Sequence, residues 1–218
     1  MSRAAAPVPL GQLFDDALLY AVEGHRHDVR KVSNVPYVAH LLGVCSIVLE
    51  NGGSEIEAAA ALLHDLAEDH GGLETLRAIE ARFGPEVGAI VAGCSDSFEA
   101  EGAKKAPWLE RKQAYITHLA MLARDPHNEP VLLVSASDKL YNLRSIRDDM
   151  LRLQPNGDEV YRRFSAGKWG TLWYYRTLAD VYATVDGRHR FVARELSDLA
   201  VALADGRSAR ELLAMYLA

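Results

Sequence analysis

The sequence has only two cysteines, Cys45 and Cys94. They stand far apart without metal-ligand spacing, which excludes a disulfide framework and predicts two reduced thiols in a reducing compartment. A long hydrophobic run is also missing. The longest, residues 58–63, falls far short of the roughly 20 apolar residues that a membrane span needs. The opening MSRAAAPVP has one Arg and a short Ala run broken by two prolines, so it lacks the apolar segment of a secretory signal. A cytoplasmic protein without a membrane partner is therefore expected. There is no excess of positive charge: 24 Lys and Arg against 30 Asp and Glu leave a formal net charge of −6. That argues against a broad phosphate-tracking surface and hence against a nucleic-acid partner, and confines any phosphate site to a local patch.

No segment sustains the two-residue alternation of a half-buried strand, whereas apolar residues fall at helical spacing almost throughout the 218 residues, so the fold is expected to be all-α and to form one domain. A first helix is predicted over about 10–26, followed by the polar connector HDVRKVSN. Pro36 suits a first helical turn and opens a helix to about Glu50, stopped by Gly52 and Gly53. Ser54 with Glu57 forms a capping-box pattern for a helix that Gly71 and Gly72 end. Shorter helices fit 73–83 and 85–94, and SDSFEAEGAKKAP reads as a loop before helices from Pro107 and from Pro130. Three more helices follow the PNGD turn at 155–158, the last opened by a capping box at Ser208 and Glu211.

Within the otherwise apolar stretch ALLHDLAEDHGG, helical spacing puts His64, Asp65, Glu68 and Asp69 on one broad face. Three carboxylates crowded on a buried helix are costly unless a cation or strong donors compensate. An exposed amphipathic helix would carry them as solvated charge, and the second HD dipeptide, His27-Asp28 in the polar connector, shows how little the dipeptide alone proves. Context adds weight. His40 interrupts VPYVAHLLGVCSIV and Asp138 interrupts VLLVSASDKLYNLRSI. Each has an ordinary reading, His40 as a hydrogen-bonded core residue and Asp138 as an acceptor from Lys139, Asn142 or a cap. Together, two imidazoles and two carboxylates make a mixed N/O site suited to one divalent metal, Mn²⁺ first and Fe²⁺, Zn²⁺ or Mg²⁺ as alternatives, with positions left for water or a phosphate oxygen.

The pattern of His40, His64-Asp65 and Asp138 resembles the HD superfamily of metal-dependent phosphohydrolases. The stretches RKVSNVPYVAH, AALLHDLAED, FGPEVGAIVAGCSD and SDKLYNLRSI resemble, in order and spacing, the hydrolase domain of the RelA/SpoT enzymes and the stand-alone small alarmone hydrolases. That resemblance covers about residues 10–150. It implies an HD core there, while the sequence pattern itself predicts a disordered start over 1–9 and C-terminal helices over 151–218 packed on the same domain. It also implies His40, His64, Asp65 and Asp138 as metal ligands, Glu68 and Asp69 as the catalytic pair that positions and activates water, and Arg30, Lys31, Asn142 and Ser145 as substrate-binding residues. As alternatives, Arg30 and Lys31 are solvated loop charges and Asn142 braces its helix.

The implied activity is 3′-pyrophosphohydrolysis of a guanosine or adenosine 3′,5′-bis(diphosphate), with a small phosphorylated nucleotide as partner and a homo-oligomer left open. The chain departs from the family at Ser135-Ala136-Ser137, where Lys-Leu-Ala is common, and at Ser95-Asp96, where Thr-Lys is common. Two cationic positions are thereby missing, with Lys104, Lys105, Arg111, Lys112 and Arg144 as candidates to compensate. A nucleotide phosphomonoesterase or NADPH 2′-phosphatase would need those lysines less, and a nucleotide sensor without turnover is the reading from another class. The aromatic group Trp169, Trp173, Tyr174, Tyr175 and Tyr182 is spaced as a core stripe in preference to a base-stacking platform.

Overall fold

A computed structural model describes residues 9–30, 34–96 and 106–218. Among these residues the fold is all-α, with eleven α-helices and no strand beyond an isolated bridge between Val29 and Pro36. The order is α1 (Gln12–Gly24), α2 (Val38–Glu50), α3 (Glu55–Leu63), α4 (Leu66–Asp69), α5 (Leu73–Phe83), α6 (Pro85–Cys94), α7 (Trp108–Leu122), α8 (Glu129–Arg152), α9 (Gly167–Tyr182), α10 (Arg190–Leu203) and α11 (Ala209–Leu217). Short 3₁₀ turns cover Pro126–Asn128 and Gly157–Arg163. No helix of the described residues is long and apolar enough to cross a membrane.

The apolar faces meet in one core that runs from Ala17 in α1 to Leu212 in α11. At its centre α3 is buried on every side over Ala58, Ala59, Ala60, Ala61, Leu62 and Leu63, and it packs against α1, α2, α6 and α8. Each fully buried leucine of this kind contributes about 1.5–3 kcal/mol. Helix α8 packs in turn against α2, α6, α9 and α10. Gly43 allows the closest approach of α2 to α8, because a Cβ there would lie 2.0 Å from the Tyr141 ring. Both capping boxes form, Ser54 with Glu57 and Ser208 with Glu211. Glu57 is also held by Arg188, whose guanidinium bonds both its carboxylate oxygens at 2.6 and 2.9 Å and reaches Glu129 as well. One side chain thus ties the starts of α3 and α8 to the turn before α10.

Two expected elements differ. The helix expected from Pro36 begins at Val38, since Pro36 is engaged in the bridge to Val29. The backbone bonds Arg30 N–H to Val35 C=O (2.8 Å) and Tyr37 N–H to Asp28 C=O (2.9 Å) fold that connector back on itself. The single helix expected between Ser54 and Gly71 is interrupted at His64 and Asp65, between α3 and α4. His64 Nδ1 bonds the Ala61 carbonyl at 2.7 Å, and this is the oxygen that the Asp65 N–H would reach in an unbroken helix. A side chain competes with the backbone for one acceptor, and the ladder parts at that point.

Candidate metal centre

The break between α3 and α4 faces the middle of α2 and α8, and there four side chains converge. His40 Nε2 lies 3.2 Å from both Asp65 Oδ2 and Asp138 Oδ1, and His64 Nε2 lies 3.1 and 3.6 Å from the same two oxygens. His40, His64 and Asp138 are buried. Metal–ligand bonds of about 2.1 Å give donor–donor edges of about 3.0–3.4 Å in octahedral or tetrahedral coordination, so the His–carboxylate spacings suit a divalent ion, for which His40, His64 and Asp65 offer donor atoms within 4.8 Å of one another while Asp138 stands against both imidazoles. His64 Nδ1 is committed to the Ala61 carbonyl, which turns the lone pair of Nε2 toward the cluster. That Nε2 is buried without a hydrogen-bond partner, as a metal-ligating nitrogen would be before its ion is bound.

The electrostatics agree. Burial disfavours a charged imidazole, yet Asp65 and Asp138 hold the His64 pKa well above its ordinary value. Burial would raise the carboxyl pKa of Asp65 and Asp138, yet His64 and His40, with Lys139 beside Asp138, hold both well below the usual range. The cluster demands positive charge and takes a proton where no cation stands.

Supporting contacts surround the four. Tyr37 donates its hydroxyl to Asp65 Oδ2 at 2.6 Å. Asn142 donates to Asp138 Oδ1, and Lys139 to Asp138 Oδ2, both at 2.5 Å. The acceptor role of Asp138 toward Lys139 and Asn142 therefore exists alongside its approach to the two histidines. Arg30 Nη2 donates to the side-chain oxygen Oδ1 of Asn142 at 2.8 Å, so Arg30 and Asn142 form a chain ending on Asp138.

Glu68 lies on α4 beside Asp96, whose N–H reaches Glu68 Oε2 at 3.3 Å. Burial first, and then the charges of Asp96 and Asp65, push its pKa up to about 7. Asp96 explains one departure from the family pattern. Its carboxylate bonds Arg111 Nη1 at 2.8 and 3.0 Å and also Lys112 Nζ, and against the effect of burial Lys112 and Arg111 hold its pKa at about 2. An acid at this position brings two cations from α7, a net formal charge of +1. Ser135 and Ser137 are buried in the core, bonded to Tyr115 and Tyr182 and to the Leu133 carbonyl respectively. Arg144 pairs with Glu195 of α10 at 2.6 Å. Lys31, Lys104 and Lys105 lie outside the described residues.

A cavity of about 580 Å³ meets the cluster through Tyr37 and Asn142, which line it and bond Asp65 and Asp138, while the four converging residues and Glu68 lie behind its lining. Arg30, Asn142, Ser145 and Asp69 line it, together with Asp28, His70 and Tyr37. Ile146, Val160, Phe164 and Tyr175 supply an apolar part of the lining, so residues C-terminal to position 150 help to build it. Of the aromatic group, Trp173, Tyr174, Tyr175 and Tyr182 are buried as a core stripe requires, and Tyr175 also reaches the cavity.

Tyr37, Asp28, His25 and His70 are neighbours of the site to which the sequence assigns no role. Tyr37, one turn before His40, carried a signal in that spacing. Asp28, which reads with His27 as connector charge, accepts bonds from His25 at 2.8 Å and from His70 at 2.6 Å. The link from Asp28 to His70 spans 42 residues, and no local pattern announces it. The partnership of Asp96 with α7 was hidden in the same way.

The family profile described as "HD domain" matches residues 17–172. A guanosine-3′,5′-bis(diphosphate) 3′-pyrophosphohydrolase of Xenopus tropicalis is 37% identical over 160 residues, covering 72% of this chain and 79% of that relative. A protein named GTP pyrophosphokinase rsh, from Brucella melitensis biotype 1, is 31% identical over 163 residues, covering 72% of this chain but 20% of its own length. The chain thus spans about a fifth of that longer relative. A solved structure described as a metazoan orthologue of SpoT that hydrolyses ppGpp superposes with a TM-score of 0.66 at 25% identity, covering 93% of this chain and all of that one.

Proposed function

The chain belongs to the HD-domain family, and from that membership we propose that it is a metal-dependent hydrolase releasing pyrophosphate from the 3′ position of guanosine 3′,5′-bis(diphosphate). The observation that carries this reading is the approach of His40 and His64 to Asp65 and Asp138, with His–carboxylate distances of 3.1–3.6 Å, linked through Tyr37 and Asn142 to a cavity that these two line with Arg30 and Ser145. These four residues would hold the ion, and Mn²⁺ suits a set of two imidazoles and two carboxylates. When bound, a divalent ion there supplies Lewis acidity, polarising a phosphoryl oxygen and lowering the pKa of water.

The chain's own groups do the rest. Glu68, with a pKa near 7, is poised to accept the proton of the attacking water at neutral pH. Asp69, on the cavity lining, orients that water. Arg30 and Asn142 place the nucleoside, their mutual bond fixing both relative to Asp138. Ile146, Phe164 and Tyr175 give the purine an apolar surface. Arg111 and Lys112, gathered by Asp96 next to Glu68, offset the charge that develops on the departing pyrophosphate.

The test is turnover by the purified protein with Mn²⁺ and guanosine tetraphosphate, reading pyrophosphate and orthophosphate separately. Pyrophosphate release that depends on the metal and is lost in Glu68→Gln is expected. Orthophosphate release would transfer the assignment to a phosphomonoesterase, and no release from any nucleotide would leave a sensor.

A further inference from the structure

A second group of metal-ligating side chains lies beside the same cavity, apart from the four residues above. His25 follows α1, Asp28 stands three residues on, and His70 follows α4. Asp28 Oδ2 is 2.8 Å from His25 Nδ1 and 2.6 Å from His70 Nε2, and one donor atom from each of the three falls within 4.8 Å of the others. The backbone bond from Tyr37 N–H to the Asp28 carbonyl fixes the loop that presents Asp28. The His25 side chain is fully buried, with its ring stacked 4.8 Å from the Tyr37 ring.

The contacts of both rings with Asp28 Oδ2 are hydrogen bonds, shorter than the edges of about 3.0–3.4 Å around an ion, so a cation here takes the place of the ring protons that Asp28 accepts. Burial pushes the His25 pKa down, toward the neutral form in which imidazole binds metal. Its Nε2 is buried without a partner, so Nδ1, which faces Asp28, is the nitrogen that a cation would meet. The group also has an entrance. The side chains of Asp28 and His70 are 34% and 42% exposed and line the cavity, leaving an open side for water or anionic oxygens. Two imidazoles and one carboxylate with open positions are a donor set for divalent first-row cations.

We propose that His25, Asp28 and His70 form a second divalent-cation site, which anchors a phosphate group of whatever ligand occupies the cavity. The Tyr37 ring stands between the two groups, 4.8 Å from the His25 ring and 5.4 Å from the His40 ring. The second ion is therefore not half of a bridged pair, whose members sit about 3.5–4 Å apart around one reacting oxygen. It is a separate positive charge beside the cavity.

Equilibrium dialysis of the metal-free full chain against Mn²⁺, and separately against Zn²⁺, reads the stoichiometry directly. The wild type is expected to bind two ions per chain, His70→Ala and Asp28→Asn one each, and Asp138→Ala one. Both substitutions of the second group fall on part-exposed side chains, and far-UV circular dichroism checks the fold of each. One ion per wild-type chain with both metals, or two retained by either variant of the second group, overturns the proposal.

Binding of pyrophosphate in Mn²⁺ gives an independent reading by its sign. Losing a cation weakens that binding in Asp28→Asn by about tenfold, the equivalent of one charge-assisted contact. If no cation stood there, deleting a carboxylate from the cavity would strengthen it, and that result would also overturn the proposal.

Discussion

Tyr37 donates its hydroxyl to Asp65 Oδ2 at 2.6 Å, joining the start of α2 to the break between α3 and α4 across 28 residues of chain. Burial first, and then the charge of Asp65, raises the phenol pKa, so the group stays a donor throughout the working pH range. Partners of this kind fix the orientation of a ligating carboxylate, and their removal typically costs 10–100-fold in metal affinity. Tyr37→Phe keeps the ring against His25 and His40 and deletes only the donor. Its Mn²⁺ affinity is expected to fall by about tenfold or more in a direct titration, with unaltered helix content. Unchanged affinity would show that Asp65 needs no such restraint.

With Glu68 as the base proposed above, its titration is expected to set the pH dependence. Its raised pKa, about 7, means that the base form grows in as pH rises. In the metal-free chain it means that stability falls as pH rises from the unfolded value of 4.5 through 7, because the folded state holds the proton longer. Bound metal adds positive charge nearby and shifts the transition downward. The rate should therefore climb across an acidic limb ending near or below pH 7. Glu68→Gln should lower kcat by about 10²–10⁴-fold and flatten that limb while metal content is unchanged. A limb that persists in the variant would assign it to another group.

Lys139 is the buried partner of Asp138, with side chains 13% and 6% exposed. Asp138, despite the opposing effect of burial, raises the lysine pKa well above its usual value. Lys139→Met leaves the carboxylate with one donor fewer and removes the ammonium that also sits 5.3 Å from the Tyr115 ring. Breaking a buried pair costs about 3–5 kcal/mol, and the residual exposure puts this one at the lower end. Denaturant unfolding of the metal-free variant should show that loss as a lower midpoint. A loss below about 1 kcal/mol, the range of surface pairs, would place the ammonium in solvent.

Chelation should destabilise the protein in proportion to the metal affinity lost. An ion present at a hundred times its dissociation constant contributes about 2.7 kcal/mol, so addition of EDTA should lower Tm and Mn²⁺ should restore it. In the chelated protein the raised pKa of His64 supplies stability below pH 6.5 that disappears as pH rises through the folded-state value. The gap between metal-loaded and chelated melts should thus widen toward alkaline pH. A gap independent of pH would separate the histidine from the metal site.

The helices were legible because periodicity, prolines and capping boxes are local signals. α5 and α6 fall at the expected 73–83 and 85–94, and the Ser208–Glu211 box closes as its spacing implies. His40 and Asp138 stood out because polar groups on apolar helices need a reason, and the structure brings them to His64 and Asp65. What stayed hidden was long-range. The Asp28 bond to His70 and the hold of Asp96 on Arg111 and Lys112 join residues on different elements, each of which is unremarked polar surface within its own segment. The break at His64 was missed for another reason: residue type tells that a histidine is present, but not that its Nδ1 will take a carbonyl from the helix ladder.

Val160, Phe164 and Tyr175 reach the cavity from beyond position 150, while His40, His64, Asp65 and Asp138 all precede it. Part of the proposed recognition surface is thus written in a later stretch of the gene than the proposed metal ligands, whereas Arg30, Asn142, Ser145 and Ile146 precede position 150 with them. On that reading, mutations in the later stretch retune which purine fits without touching the ligands, and a chain cut after α8 keeps the reactive groups but loses one wall of the surface that chooses their client.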